Sequence, residues 1–169
     1  MKARIIGTGS YLPKKVLTNS DLEEMVDTSD EWIVSRTGMK ERRIAEGELT
    51  SDMGIAAANA ALKDAGIAAE DIDIILVATM TPDYIIPNTA ALIQASVGAT
   101  HAAAIDMQAA CSGYLYGLAI SKAFIEAGIY KKILLVATEK MSSLVDYNDR
   151  TTCIIFGDGA GAAVITNEG

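Results

Sequence analysis

Three runs constrain the fold of this chain more than any other feature: IDIILVATM (72–80), HAAAIDM (101–107) and KKILLVATE (131–139). All three are short, which suits a strand better than a helix, and the first and third are apolar almost throughout. Strands that are apolar on both faces, rather than alternating, are those covered on two sides, as parallel strands are. Stretches of helical pattern lie between them: SDMGIAAANAALKDAGI with Ser51 as cap and Gly66 as terminator, TAALIQASVG opened by Pro87 and Asn88, and CSGYLYGLAISKAFIEAG ending at Gly128. Strand–helix alternation predicts βαβ units, hence an α/β fold with a mainly parallel mixed sheet and helices on both faces.

The flanking segments read less regularly. ARIIGTGSYLP is expected to be a strand ending in a turn at Gly9–Ser10, closed by Pro13. Residues 14–48 read as a polar, partly helical insertion. Within it SDLEEMV has Ser20 and Glu23 at capping-box spacing, and SDEWIVSRTG has Ser29 as cap and Gly38 as stop. At the other end, TTCIIFGDGAGAAVITN is expected to form two apolar runs around a close-packed glycine turn. GDGAG leads into strand-like residues rather than a helix, so it is not read as a phosphate loop.

With 169 residues, half of them hydrophobic and only 5% aromatic, the chain is expected to form a single domain whose core is built from Ala, Val, Leu and Ile. Such a core needs close backbone approach. The net charge of −8 argues against a nucleic-acid or anionic-membrane binder. No apolar run is long enough for a membrane span, and the first residues lack the apolar stretch of a signal peptide. Two cysteines in apolar sequence give no disulfide framework and no zinc spacing, which favours a cytoplasmic setting. Arg36, Lys40, Arg42 and Arg43 form a basic island in this acidic chain, either a solvated face or a landing site for a phosphorylated small molecule.

Cys111, in DMQAACSGYLYGL, falls where a strand gives way to a helix. There its sulfur would meet unpaired backbone N–H groups and the positive end of the helix dipole. Small neighbours (Ala109, Ala110, Ser112, Gly113) leave room for an incoming carbonyl, and the amides could hold an oxyanion. Core packing is the alternative, being the commoner fate of a free cysteine. Cys153 reads as core, and the one histidine, His101, as a surface or strand-edge residue. No partner base for Cys111 is evident.

The motifs IIGTGSYLP, TSDEWIVSRTG, AACSG and DRTTCIIFGDGAGAAV, in this order, resemble the β-ketoacyl-acyl carrier protein synthase III family. The resemblance implies the N-terminal half of a five-layered αβαβα thiolase-like fold, with the catalytic His and Asn in a second half. It implies a condensing acyltransferase that initiates type II fatty-acid synthesis, with acyl-CoA as substrate rather than cofactor. Malonyl-acyl carrier protein would be the second substrate, and the protein a homodimer. Cys111 matches the nucleophile; Thr28, Trp32, Arg36 and Arg150 match coenzyme A contacts, with Trp32 and Arg150 flanking adenine. Met141, Ile154, Ile155 and Phe156 match acyl-pocket positions. Ile86 matches a residue that reaches the partner's pocket, where isoleucine in place of the family's phenylalanine would leave room for longer primers. Two alternatives remain: a non-catalytic coenzyme A-binding or assembly half-domain, and a related condensing enzyme of secondary metabolism. The helix after Cys111 is expected to expose an apolar patch.

Overall fold

A computed structural model describes residues 2–167. Five strands form one sheet in the order β1 (Arg4–Tyr11), β7 (Asp158–Thr166), β6 (Lys132–Lys140), β4 (Ile74–Ala78) and β5 (Ala103–Met107). The β6–β4 and β4–β5 pairs are parallel and β7 runs antiparallel to both β1 and β6. Four of the five strands therefore point one way and β7 alone is reversed. The sheet is mixed and mainly parallel, as the alternation predicts.

Apolar residues of the central strands divide by parity, as side chains on a pleated strand must. Ile75, Val77, Leu134, Val136, Ala162 and Val164 pack under α3 (Thr50–Ala65) and α4 (Thr89–Val97). Ile74, Leu76, Ile133, Leu135, Ala163 and Ile165 face the other way, toward α5 (Gly113–Glu126). The result is an α–β–α sandwich, three layers deep. Its close approaches are made by small residues. A Cβ on Gly9 would collide with the backbone of Ala57 and Ala61, and one on Gly7 with that of Ala65.

That packing corrects two readings. Gly9 and Ser10 lie inside β1, paired with Ala162 and Gly161, and are not a turn; the glycines are there to admit α3. Likewise Gly157–Gly161 is no turn between two strands. Asp158–Gly161 begins β7, while Thr151–Ile155 forms a turn, and Cys153 and Ile154 bury in a separate cluster with Leu22 and Ile33. The final apolar run is one strand, not two.

Residues 15–44 form β2 (Lys15–Thr18), α1 (Asn19–Glu23), α2 (Asp30–Thr37) and β3 (Glu41–Ile44), with β2 and β3 paired antiparallel. The cap of α1 is Thr18, not Ser20. Thr18 Oγ1 accepts from the Asp21 N–H at 3.1 Å and Asp21 returns the bond to the Thr18 N–H at 2.7 Å. Glu23 instead accepts from the Asp30 N–H at 2.6 Å, joining α1 to α2. Ser29 caps α2 and Gly38 stops it in the left-handed region (φ 74°), both as expected. Ser51 lies within α3, whose first N–H groups are capped across the fold by Asp83 (2.8 Å from the Thr50 nitrogen). Asp106 does the same for α4, at 2.9 and 2.7 Å from the Thr89 and Ala90 nitrogens. Carboxylates at helix N-termini complement the dipole there.

Candidate active site

Cys111 stands at the corner between β5 and α5. The chain leaves β5 at Met107, bends through Ala109 (φ −150°, ψ 29°), and makes one 3-10 turn, Ala110–Ser112, before α5 begins at Gly113. Ala110 has φ 45°, the only positive value for a non-glycine among the described residues. An alanine held in that region costs about 1–2 kcal/mol. Strain of this kind gathers at functional sites. The corner leaves Cys111 exposed, whereas Cys153 is buried, and burial pushes the Cys153 thiol up from its ordinary value. Cys153 is core, as its sequence suggests, and His101 is exposed.

The depth of the site comes from two glycines one helical turn apart. A Cβ on Gly113 would stand 2.9 Å from that of Ala78, and one on Gly117 would collide with Leu135. Their absence lets α5 lie flat on β4 and β6. Cys111 then opens on a cavity of about 360 Å³ beyond the carboxyl ends of those strands, where ligands bind in sheets of this kind. Ala78, Ala137, Met141, Tyr114 and Phe156 make its wall almost wholly apolar. Ala110, Glu139 and Met80 complete it; sequence reading overlooked Tyr114 and the strand-end residues Ala78, Ala137, Glu139 and Met80. The latter sit near or just past the end of a central strand, which was the available signal. Glu139 accepts from the Met80 N–H at 2.9 Å and the Thr81 hydroxyl at 2.7 Å, pinning the segment after β4 to the end of β6. Burial holds the Tyr114 phenol above its ordinary value and therefore neutral.

A second cluster lies on α2. Trp32 is half-buried, and two guanidinium groups lie over its ring, Arg36 at 4.7 Å and Arg150 at 5.0 Å from the centroid. Cation–π attraction holds such pairs together. Arg150 also donates to the Asp27 carbonyl at 2.6 Å, with the Asp27 carboxylate 3.6 Å away. Next in the chain, Thr28 Oγ1 is buried with no hydrogen-bond partner among the described residues. A buried hydroxyl without a partner is a polar group that a ligand contact would satisfy. One segment joins the two clusters: the stretch after β6 contributes Met141 and Phe156 to the cysteine cavity and Arg150 to the tryptophan.

The structure thus brings together Thr28, Trp32, Arg36 and Arg150 in one place and Cys111, Met141 and Phe156 in another. It places the remaining candidates elsewhere. Ile154 is 3% exposed in the cluster around Cys153, Ile155 is 42% exposed, and Ile86 is 87% exposed on the loop before α4. The basic island also divides. Arg36 and Lys40 are exposed, but Arg42 is buried at 5% exposure and belongs to no surface patch.

A mixed sheet sandwiched by helices, with an exposed cysteine at the mouth of the helix that follows an edge strand, fits a thiolase-like fold. Its match to solved structures is close. The chain superposes on 3-oxoacyl-[acyl-carrier-protein] synthase III from Aquifex aeolicus with TM-score 0.97 and 52% identity, covering 98% of this chain and 54% of that one. It superposes on the priming β-ketosynthase of the R1128 polyketide pathway with TM-score 0.96 and 39% identity, covering 99% of this chain and 50% of that one. Among curated proteins, the β-ketoacyl-[acyl-carrier-protein] synthase III of Bacillus pumilus is 58% identical over 98% of this chain and 53% of its own length. That of Caldanaerobacter subterraneus is 56% identical over 96% of this chain and 50% of its own. The family model for 3-oxoacyl-[acyl-carrier-protein] synthase III matches residues 105–169. The chain belongs to the β-ketoacyl-acyl carrier protein synthase III family. It spans about half the length of the curated relatives it matches.

Proposed function

We propose that this chain carries the acyl-accepting half of a condensing enzyme that primes fatty-acid synthesis. One observation supports this above the rest: Cys111 is exposed at a helix mouth, behind a strained corner, over an apolar cavity. The thiolate attacks the carbonyl of an acyl-CoA; the tetrahedral oxyanion meets backbone N–H groups at the start of α5, and coenzyme A leaves as its thiol. The acyl chain, now a thioester on Cys111, occupies the apolar cavity. Malonyl-acyl carrier protein then loses CO2, its carbanion attacks the thioester carbonyl, and the cysteine thiolate is released with a 3-ketoacyl product. The His and Asn expected in the other half would stabilise the enolate of that second step.

Trp32 offers a face for adenine, Arg150 and Arg36 supply guanidinium planes and charge for the phosphates, and the Thr28 hydroxyl supplies a polar contact. Stacking of a base on an aromatic ring contributes about 1–3 kcal/mol. Pairing of two such chains with their other halves, in the cytoplasm, completes the picture. Among the described residues no helix is long and apolar enough to cross a membrane. Acylation is tested by incubating the complete protein with acetyl-CoA and weighing it. One acetyl group on Cys111, absent from Cys111→Ala, is expected; an unmodified protein, or an adduct that survives the substitution, overturns the assignment.

The likeness to the R1128 priming ketosynthase gives a second reading, a condensing enzyme of secondary metabolism. The higher identity to the Bacillus and Caldanaerobacter proteins favours the first.

A further inference from the structure

Next to the cluster that carries Trp32 lies a buried polar pair that the proposed chemistry leaves unused. Arg42 on β3 is 5% exposed and Asn19 at the start of α1 is 1% exposed. Arg42 Nη1 donates to Asn19 Oδ1 at 2.8 Å and to the Leu17 carbonyl at 3.2 Å; Nη2 donates to the Ile154 carbonyl at 2.8 Å. All three acceptors are neutral. Nε is buried with no partner among the described residues. A guanidinium kept out of water on neutral acceptors alone is costly, so the geometry it enforces needs a reason.

Asn19 passes the connection on. Its Nδ2 donates to the Asp30 carboxylate and to the Met39 carbonyl, both at 2.8 Å. Asp30 is the first residue of α2, and Met39 follows its last turn. Asn19 therefore grips the helix that carries Trp32 and Arg36 at both ends. Through Arg42 it also holds the Ile154 carbonyl. Ile154 lies in a turn that is stiff in itself: the Cys153 N–H donates to the Asp149 carbonyl at 3.1 Å, and the Asp149 carboxylate accepts from the Thr151 N–H at 2.9 Å. That turn carries Arg150 at one end and Phe156 just beyond the other.

We infer that the Asn19–Arg42 pair is a positioning device for the coenzyme A clamp. It touches no ligand, but it sets the spacing between the α2 helix and the Arg150 turn into which an adenine must fit. The inference rests on the reading of Trp32 and Arg150 as that clamp. A guanidinium is required because its planar fork bonds Asn19 and Ile154 at once, which a lysine ammonium on a flexible stem does not reproduce.

The experiment compares two thioesters on the complete protein: acetyl-CoA, and acetyl-pantetheine, which lacks the nucleotide. Arg42→Lys and Asn19→Ser are each expected to raise KM for acetyl-CoA about tenfold with kcat within about twofold, and to leave acetyl-pantetheine unchanged. Equal losses on both thioesters, no loss on either, or failure of both variants to fold would overturn the inference, the last by making the pair a support of the whole fold. Trp32→Ala separates the two levels. If it too fails to distinguish the thioesters, the clamp itself is wrong; if it distinguishes them and Arg42→Lys does not, only the positioning role falls.

Discussion

Ala110 is the residue on which the geometry of Cys111 turns. Its φ of 45° is a conformation that glycine adopts without penalty and alanine does not. Relief of strain outweighs the extra unfolded-state freedom of glycine by up to about 1 kcal/mol. Ala110→Gly is therefore expected to raise the thermal midpoint, as read by calorimetry; a lower midpoint would show that the corner is not strained. Ile86 raises a question of specificity at the same scale. Its side chain is 87% exposed and absent from the Cys111 cavity, so its expected influence depends on a second copy. With isoleucine there, the complete protein should turn over butyryl- and isobutyryl-CoA alongside acetyl-CoA. Turnover confined to acetyl-CoA would refute this.

At the scale of the element, α5 is placed by what its glycines lack. Gly117→Ala puts a methyl group into Leu135, and overpacking of that kind typically costs about 1–3 kcal/mol. The loss should appear in denaturant unfolding together with slower acylation of Cys111, because the helix start lifts with it. The helix α1 depends on its capping box, so Thr18→Ala should lower stability by about 1 kcal/mol. Legibility from sequence varied element by element for physical reasons. The strands β4 and β6 are apolar on both faces, so their burial shows in the residues themselves. The strands β2 and β3, KVLT and ERRI, are short and charged, and no alternation marks them. Thr151–Phe156 looks like a strand because Cys153, Ile154 and Phe156 are apolar, but they serve a small satellite cluster and the cysteine cavity. The glycines of β1 read as a turn because sequence does not show a helix pressing on them. Cys111 and Trp32 were legible by motif; the Glu139 bonds and the Asn19–Arg42 pair, made by residues distant in the chain, were not.

For the molecule as a whole, acidity is structural. Hydrogen bonds from the Thr18 hydroxyl and N–H lower Asp21, and those from the Thr151 hydroxyl and N–H lower Asp149, from an ordinary value of 3.8. A carboxyl lowered in the folded state adds stability above its unfolded value, and that stability is lost as pH falls through the lowered one. Thermal midpoints should therefore hold near neutrality and fall below about pH 4, with a shallower fall in Asp21→Asn. The outer side of α5 has its own consequence. Leu115 is 65% exposed and Tyr116 is 56% exposed, the apolar patch expected of that helix. This 169-residue chain alone should self-associate at micromolar concentration, and light scattering from a stable monomer would contradict that.

Trp32 is the sole tryptophan of the 169 residues, and both Arg36 and Arg150 lie over its ring. Any molecule that slides onto its indole or pushes Arg150 aside must change its ultraviolet emission. The chain thus contains its own optical gauge of occupancy, readable without dye or label.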